Sequence, residues 1–441
     1  MGDAAIQTTA NYYVKLLRCQ HPEWRYVLLI VKTPAEVTQI INGNFQSLEI
    51  GSEDVLLDDA CGRVLYNDII CDEYVPCFDR STVDGYAVIA SDTFGCSASI
   101  PALLNIAGEV LMGDSAEWTL KPGDCAAVST GGDLPGGADA VIMIENTEDY
   151  GDGLVGIMTP AAPGNNIIFK GDDVKPGDKV LSAGTVLTPH DIGILSAIGK
   201  TNIEAFKKLI VGIISTGDEL VDTSATPKRG EVRDVNMPLL CAAVSNAGAI
   251  AKNFGIIRDN QKDLENSLAD AAHLCDIVLI SGGSSAGMKD LTARVIDTKG
   301  KLLLHGIAMK PGKPTILGEI GGKPIFGLPG HPVAAYFVTE LFVLPLISQI
   351  MRSEHKRVTV AAALGSAISA NHGRAEYIAV SLKEGNKTSS PNRTKIATPI
   401  RGKSGLIASL SRTDGYICVP RDCEGIPNGA EVEVVLWMAG L

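Results

Sequence analysis

Two aspartates flank a short polar turn in segment 78–88, which reads FDRSTVDGYAV. Asp79 and Asp84 are five residues apart, and Asp84 is followed by Gly85 and an apolar, strand-like run. A glycine at a tight turn permits backbone conformations that other residues avoid, so a ligand or a metal could approach Asp84 closely. The same pattern is typical of a hairpin turn whose aspartate binds its own backbone. The turn by itself leaves both interpretations open.

Three loops follow apolar, strand-like segments in the middle of the chain. They are 215–220 (STGDEL), 281–290 (SGGSSAGMKD) and 327–332 (GLPGHP). Ligands of open parallel sheets bind beyond the carboxyl ends of the strands, and glycine-rich loops offer backbone N–H groups to anions. One such loop is weak evidence, because glycine also serves turns and helix caps. Three of them at one edge predict a binding site with four candidate anion-binding residues: Ser281, Gly282, Gly283 and Ser284.

Charged residues of both signs accompany these loops. Lys310 and Lys313 lie on the proline-stiffened turn MKPGKP, after the strand-like LLLHGIAM, where they could meet a phosphate or an oxyanion. Hard cations such as Mg²⁺ prefer carboxylate oxygens and bridge to substrate phosphates. A single acid or lysine is more often a cap or a solvated charge. Five acids on polar loops are nevertheless candidate cation ligands or catalytic groups: Asp84, Asp173, Glu219, Asp259 and Asp290.

The composition and charge of the chain argue against some classes of function. The chain has 441 residues, 45% hydrophobic, with a net charge of −13. That balance argues against nucleic acid as the main partner, since phosphate binding requires a basic face. The ten cysteines form no C-x-x-C pair and are interpreted as reduced thiols. The longest apolar run near the N-terminus, 26–31, is too short for a signal peptide or a membrane span. We expect a soluble, cytoplasmic protein.

The secondary-structure elements that must position these side chains are predicted to differ from one region of the chain to the next. Residues 1–32 show no clear amphipathic period, and Thr33 with Pro34 and Glu36 predicts a helix start. Short β-branched runs between Gly, Asp and Pro predict a small β-rich domain at 71–159. Apolar strands alternate with helical patterns over 207–354, which predicts a doubly wound α/β domain. Short strands without helices over 355–441 predict a β-barrel or sandwich.

Six motifs, taken together and in this order, resemble those of molybdopterin molybdenumtransferases, the bacterial MoeA family and the gephyrin E domain. They are DRSTVDGYAV, STGGDLPGGADAVI, STGDEL, SGGSSAGMKD, AMKPGKPT and GLPGHPVAA. The likeness covers about residues 32–441. It implies an elongated domain formed by 33–70 and 160–206, in addition to the inserted β-rich domain, the α/β domain and the C-terminal barrel.

The resemblance also implies an activity. Such proteins are homodimers whose active site joins the α/β domain of one subunit to the inserted domain of the other. They take adenylylated molybdopterin, with a molybdopterin adenylyltransferase as the expected donor, release AMP and insert molybdate with Mg²⁺. Carried over by motif, the functional positions are Asp84, Thr130, Asp173, Glu219, Asp259 and Asp290, with Glu219, Asp259 and Asp290 at the metal. Lys310, Lys313 and Ser404 match anion-binding positions, and Pro329 and Pro332 shape the adjoining loop.

Several positions depart from the family pattern. An arginine-rich run after Gly164 is replaced by NIIFKGDD, and the lysine expected four residues before Lys310 is Gly306. An arginine expected after Tyr377 is Ala379, and His331 stands where asparagine is usual. A lost charged hydrogen bond costs about 1.5–3 kcal/mol. Three hypotheses therefore remain open: an active transferase, a divergent paralogue that binds a pterin or nucleotide without efficient metal insertion, and a scaffold protein on the same fold.

Overall fold

The computed structural model describes residues 31–282, 286–354, 357–385, 395–400, 402 and 404–437, and only the backbone of 286–290. Three six-stranded sheets dominate it, joined by several two-stranded pairings. Of the predicted N-terminal extension 1–32, only the last two residues lie in the described part of the chain.

The first helix begins where the sequence predicts. α1 (Pro34–Phe45) is preceded by Thr33, whose Oγ1 accepts from the Glu36 N–H while the Glu36 carboxylate accepts from the Thr33 N–H. This reciprocal capping box satisfies two of the otherwise unpaired N–H groups of the first turn. One face of α1 is buried in the same core as the residues of the α/β sheet, through Val37, Ile41 and Phe45. The helix thereby anchors the start of the chain on the α/β sheet.

Two chain segments on either side of the β-rich insertion pair with each other. Strand β1 (Ser52–Leu56) is antiparallel to β12 (Asn202–Phe206), and β2 (Ile69–Ile70) to β11 (Lys179–Leu181). Helix α2 (Pro189–Ala197) packs its buried Leu195 into this region. The pairing of 52–70 with 179–206 agrees with an elongated unit made of two segments, although the domain boundaries stay a prediction.

The inserted region forms one six-stranded sheet. Its strand order is β7-β4-β6-β5-β9-β8, and β3 and β10 form a separate pair beside it. The strands of this region are β3 (Arg80–Ser81), β4 (Gly85–Val88), β5 (Ala102–Val110), β6 (Asp124–Val128), β7 (Ala140–Met143), β8 (Thr147–Gly151), β9 (Leu154–Ile157) and β10 (Ile167–Ile168).

The α/β region has a sheet of order β16-β13-β17-β21-β20-β18. Its first four strands are parallel, whereas β20 pairs antiparallel with both of its neighbours, β21 and β18, so the predicted parallel sheet has an antiparallel edge. The elements are β13 (Ile210–Thr216), β14 (Leu220–Val221), β15 (Val232–Arg233), α3 (Asn236–Asn246), β16 (Ile250–Ile257), α4 (Gln261–Leu274), β17 (Ile277–Gly282), α5 (Ala286–Lys299), β18 (Lys301–His305), β19 (Met309–Lys310), β20 (Ile316–Ile320), β21 (Lys323–Leu328), α6 (Pro332–Val338) and α7 (Leu344–Ile350).

A single π-helical stretch, Thr339–Val343, joins α6 to α7. The whole run Pro332–Ile350 is long and apolar enough, by composition, to cross a membrane. Its apolar window is 72% buried inside the protein, which is typical of the core helix of a globular domain.

The C-terminal region confirms the barrel rather than the sandwich. β24, β25, β22, β28 and β26 pair in sequence, and β26 pairs again with β24, which closes the sheet. Closure removes exposed sheet edges. Its strands are β22 (Thr359–Leu364), β23 (Ile368–Ser369), β24 (Ala375–Glu384), β25 (Lys395–Pro399), β26 (Gly415–Val419), β27 (Gly425–Ile426) and β28 (Glu431–Leu436).

Candidate active site

The predicted loops meet at one edge of the α/β sheet. Because β16, β13, β17 and β21 are parallel neighbours, the segments that follow them emerge side by side. Asn236 connects two of these loops, since its Nδ2 donates to the Ser281 hydroxyl at 2.7 Å and to the Gly330 carbonyl at 2.9 Å. A third contact runs from the Asp259 N–H to Asp218 Oδ1 at 3.3 Å. The three predicted loops thus begin at one edge of the sheet, and their role in binding stays a prediction.

Glycine at position 282 has a packing reason as well as a binding one. Gly282 has φ +144°, and a Cβ built there would collide with the backbone carbonyl of Thr216. The end of β17 is thereby pressed against the end of β13. Gly283 and Ser284, the next two predicted anion-binding residues, lie outside the described residues.

An acidic cluster occupies the β16–β13 end of this edge. It consists of Asp218, Glu219 and Asp259. Burial raises the pKa of Asp259 above its ordinary value, and the neighbouring Asp218 and Glu219 carboxylates raise it further. Asp259 Oδ1 is buried and has no hydrogen-bond partner in the described part of the chain. Crowded carboxylates with an unpartnered oxygen are the kind of site that a hard cation stabilises.

The third predicted metal ligand, Asp290, lies on α5, where only the backbone is described. Within the described residues, no three His, Cys, Asp or Glu side chains are already arranged as metal ligands. The donor set of the acidic cluster fits Mg²⁺ chemically, because all its ligands are carboxylate oxygens. Asp218 belongs to this cluster although the sequence interpretation chose only its neighbour Glu219. Its position beside Glu219 in STGDEL was the available signal.

A basic cleft of about 810 Å³ lies at the other end of the edge, between the α/β region and the barrel. Lys310, Lys313, Pro329 and Ser404, all predicted anion-site residues, line it. The expected strand LLLHGIAM is in fact divided. β18 ends at His305, and Met309 and Lys310 form β19, which pairs with β24 of the barrel. This pairing is long-range in sequence, so periodicity within the segment did not show it.

Lys310 is held in the cleft by a buried acid. Its Nζ lies 3.1 Å from Glu376 Oε2, and Glu376 is only 4% exposed. The other oxygen of Glu376 accepts from the Asn371 N–H at 3.2 Å. A buried carboxylate paired with a lysine and a backbone donor fixes the direction of the lysine side chain. No sequence pattern indicated Glu376, because its burial depends on closure of the barrel.

His331 and Ser404 form a pair across the same cleft. Ser404 Oγ and His331 Nδ1 are 2.9 Å apart, and the Val333 N–H donates to the Ser404 carbonyl at 3.1 Å. Pro332 starts α6 directly after His331. The unusual histidine therefore contributes a polar contact between the α/β region and the barrel.

In the inserted region, hydrogen bonds from Thr130 hold the side chain of Asp84. The Thr130 N–H and hydroxyl donate to Asp84 Oδ1 at 2.7 and 3.0 Å, and these two bonds lower the pKa of Asp84. The reason expected for Gly85 is wrong: its φ is not in the positive region, but a Cβ there would collide with the carbonyl of Ile142 on β7. Close strand packing, rather than turn geometry, thus requires glycine next to Asp84.

Asp79 and Asp173 lie on adjoining loops. Asp79 Oδ1 accepts from the Lys170 N–H at 2.7 Å, so it links the two loops. Asp173 is exposed, and its N–H donates to the Val75 carbonyl at 3.1 Å. The side chain of Asp84 binds within its own sheet. The acids thus form two described groups, one on the inserted sheet and one on the α/β edge.

Comparison with known proteins explains this arrangement. Residues 32–199 match the "MoeA N-terminal region (domain I and II)", residues 212–349 a "Probable molybdopterin binding domain" and residues 361–437 the "MoeA C-terminal region (domain IV)". The molybdopterin molybdenumtransferase of Bacillus subtilis is 30% identical over 418 residues, which are 93% of this chain and 95% of that protein. This chain belongs to the MoeA family.

Further relatives match this chain over a similar share of its length. The molybdopterin molybdenumtransferase 2 of Mycobacterium tuberculosis is 30% identical over 390 residues, 86% of this chain and 94% of that protein. The crystal structure of the molybdopterin biosynthesis MoeA protein of Pyrococcus horikoshii has a TM-score of 0.80 at 33% identity, and the match covers 92% of this chain and all of that one. The family resemblance in the motifs is thus confirmed along most of the chain, and it places the protein in molybdenum cofactor biosynthesis.

Two of the departures from the MoeA pattern have structural consequences. Gly306 has φ +106°, and a Cβ there would meet the Val31 side chain at 3.0 Å. Ala379 is 9% exposed and packs in the main core with Tyr416. Gly306 is therefore closely packed, whereas Ala379 lies where the main core meets the basic cleft.

Proposed function

We propose that the chain is a molybdopterin molybdenumtransferase that takes adenylylated molybdopterin, releases AMP and inserts molybdate at the dithiolene. One observation carries the proposal. A single sheet edge has carboxylates at one end, Asp218, Glu219 and Asp259, and a lysine-lined cleft at the other. The reaction must hold a phosphoanhydride and an oxyanion together, and it therefore needs both kinds of site.

The cleft is proposed to hold the anionic groups. Lys310 and Lys313 stand at the two ends of the turn 310–313, whose Lys310–Pro311 peptide bond is cis. Both lysines line the cleft. Their positive charge offsets the repulsion between molybdate and phosphate oxygens. Ser404 offers a hydroxyl, whereas the hydroxyl of Ser281, predicted as an anion ligand, is buried and accepts from Asn236, so it holds the end of β17 instead. Pro329 and Pro332 stiffen the loop between β21 and α6.

The acidic cluster is proposed to hold Mg²⁺, with Glu219, Asp259 and Asp290 as ligands. The ion, when bound, would neutralise phosphate charge as the anhydride breaks. The chain's own part is to keep the carboxylates of Asp218, Glu219 and Asp259 near one another at the edge of the sheet. Burial and the nearby acids raise the pKa of Asp259, and one of its oxygens has no hydrogen-bond partner among the described residues, so a cation would stabilise its charge.

Asp84, Thr130 and Asp173 are proposed to complete the site from the partner subunit of a homodimer. Support comes from the family and from Asp84 itself, which is exposed and is oriented by two hydrogen bonds from Thr130 that lower its pKa. A carboxylate that is preorganised yet exposed is suited to meet a ligand from another surface. The substrate donor is proposed to be a molybdopterin adenylyltransferase, and the location of the protein the cytoplasm.

The test is a turnover assay with purified protein, adenylylated molybdopterin, molybdate and Mg²⁺, in which AMP release and formation of molybdenum cofactor are both followed. We expect both products, and we expect Lys313→Met to reduce the rate at least tenfold. As a matched control, Lys395→Met changes a lysine of the barrel strand β25 that does not line the cleft. Absence of AMP release under conditions in which the Bacillus subtilis relative is active would refute the proposal and favour the divergent paralogue.

A further inference from the structure

Arg374 lines the basic cleft beside Lys310 and Lys313. It directly precedes β24, the barrel strand that pairs with β19, and the Ala375 N–H donates to the Ala308 carbonyl at 3.1 Å. The arginine is partly buried, and within the described ranges no hydrogen bond or ion pair of its guanidinium is found. An arginine that lines a cleft without a partner is available to a ligand.

The neighbouring acid does not neutralise Arg374. Glu376 is bound by Lys310 and by the Asn371 N–H. Three cations and one carboxylate among the described residues therefore line the cleft, which leaves an excess of positive charge in a chain whose net charge is −13. Arg374 and Glu376 both line the cleft, so the arginine shares it with the acid that binds Lys310.

Position 379 cannot supply this charge in the present structure. Ala379 also lines the cleft, at its boundary with the main core, but its methyl side chain carries no charge. Its carbonyl accepts from the Ile400 N–H at 2.9 Å. An arginine is expected at this position from the family pattern, so the cleft lacks a charge that this position would supply.

We propose that Arg374, together with Lys310 and Lys313, binds the oxyanion in this protein and replaces the charge missing at position 379. This rests on the proposed function, because it assigns the molybdate contacts of the same cleft. A planar guanidinium offers several donors in a fixed fork, which suits the oxygens of a tetrahedral dianion better than a single ammonium group does.

The direct test is equilibrium binding of molybdate to the full-length protein by calorimetry, with no pterin present. Arg374→Met should weaken molybdate binding roughly ten- to one-hundredfold, the range for loss of a charged hydrogen bond. Arg374→Lys, which keeps the charge but not the fork, should fall between this variant and the wild type. Arg412→Met, an exposed arginine of the same region that does not line the cleft, should bind like the wild type.

Turnover gives an independent readout. Arg374→Met should raise the KM for molybdate at least tenfold and leave kcat within about threefold, since the arginine binds the anion before the anhydride breaks. Arg374→Gln is measured beside it, so that a folding defect in one variant still leaves a result. Unfolding temperatures of all variants identify such a defect.

The possible outcomes separate the two proposals. Wild-type affinity for molybdate in both Arg374→Met and Arg374→Gln would overturn the role of Arg374, while AMP release by the same proteins would leave the transferase proposal intact. Wild-type protein that binds molybdate through Arg374 but releases no AMP would refute the transferase and keep the anion site. A wild-type protein that binds no molybdate would overturn the assignment of Arg374.

Discussion

Asp84 on the inserted sheet and Asp259 on the α/β edge are both predicted functional carboxylates, and their surroundings are opposite. Asp84 is exposed, and two hydrogen bonds from Thr130 lower its pKa. Asp259 is partly buried beside two other acids, which together with burial raise its pKa, and one of its oxygens has no partner among the described atoms. The structure thus stabilises the charge of one aspartate and leaves the charge of the other uncompensated.

The contrast indicates different tasks. A carboxylate whose charge is already stabilised needs no further ligand to stay ionised and can accept hydrogen bonds at once. A carboxylate under repulsion gains most from a cation. Three substitutions can break or sharpen this distinction, and they are ordered here by the size of the expected effect.

Asp259→Asn should have the largest effect, a loss of activity on the order of 100-fold or more at saturating Mg²⁺, because it removes a proposed metal ligand. The same change should make the metal-free protein more stable at pH 7. The raised pKa of Asp259 means that its ionisation opposes folding once the pH exceeds its ordinary value of 3.8. Thermal unfolding with and without Mg²⁺ measures this.

The matched control for Asp259 is Asp263→Asn, a change in the first turn of α4. It should leave the response to Mg²⁺ unchanged. Mg²⁺ should raise the unfolding temperature of the wild type and of this control, and not that of Asp259→Asn. Equal stabilisation of all three proteins by Mg²⁺ would show that Asp259 holds no metal.

Thr130→Val should have an intermediate effect, roughly a tenfold loss of activity at neutral pH. It removes the hydroxyl bond to Asp84 and keeps the backbone bond. With less stabilisation of the charged form, the pKa of Asp84 should rise toward 3.8, and the acid limb of the pH–rate profile should move to higher pH. Thr147→Val, whose hydroxyl donates to the Ile144 carbonyl of the same sheet, is the control. An unmoved acid limb would contradict the role given to Thr130.

Glu340→Gln should have the smallest effect and concerns stability alone. Glu340 is 1% exposed in the π-helical stretch, its Oε2 has no partner among the described atoms, and burial raises its pKa. Ionisation above pH 4.5 therefore opposes folding. Replacement by glutamine should stabilise the protein by about 1 kcal/mol at pH 7.5.

That gain should disappear near pH 4.5 and below, where the glutamate keeps its proton in both states. Denaturant unfolding at the two pH values measures it, and the exposed Glu433→Gln serves as a control. Glu340 also sharpens the comparison with Asp259. Both have an unpartnered oxygen, but acid neighbours raise the pKa of Asp259, whereas Arg357 acts against the shift at Glu340. A loss of stability at pH 7.5 would show that the buried charge is compensated.

The sequence by itself determined the local structure and much of the site. Period and capping residues predicted α1 and the strands and helices of the α/β region, because these depend on neighbours within a few residues. The motifs identified the family, and the loops after β13, β17 and β21 were predicted to meet because parallel strands share an edge. Their glycines and acids could be named before any contact was known.

Only the tertiary structure decided how these residues differ in burial, packing and pKa. Gly85 is required by Ile142 on a strand far along the chain, and Glu376 is buried because β24 closes the barrel and pairs with β19. The opposite pKa shifts of Asp84 and Asp259 follow from Thr130, and from burial beside Asp218 and Glu219. Burial and distances across the chain set these properties, and neither is contained in local spacing. The missing arginine at position 379 and the guanidinium of Arg374, which has no partner among the described residues, likewise became related only when both were found to line one cleft.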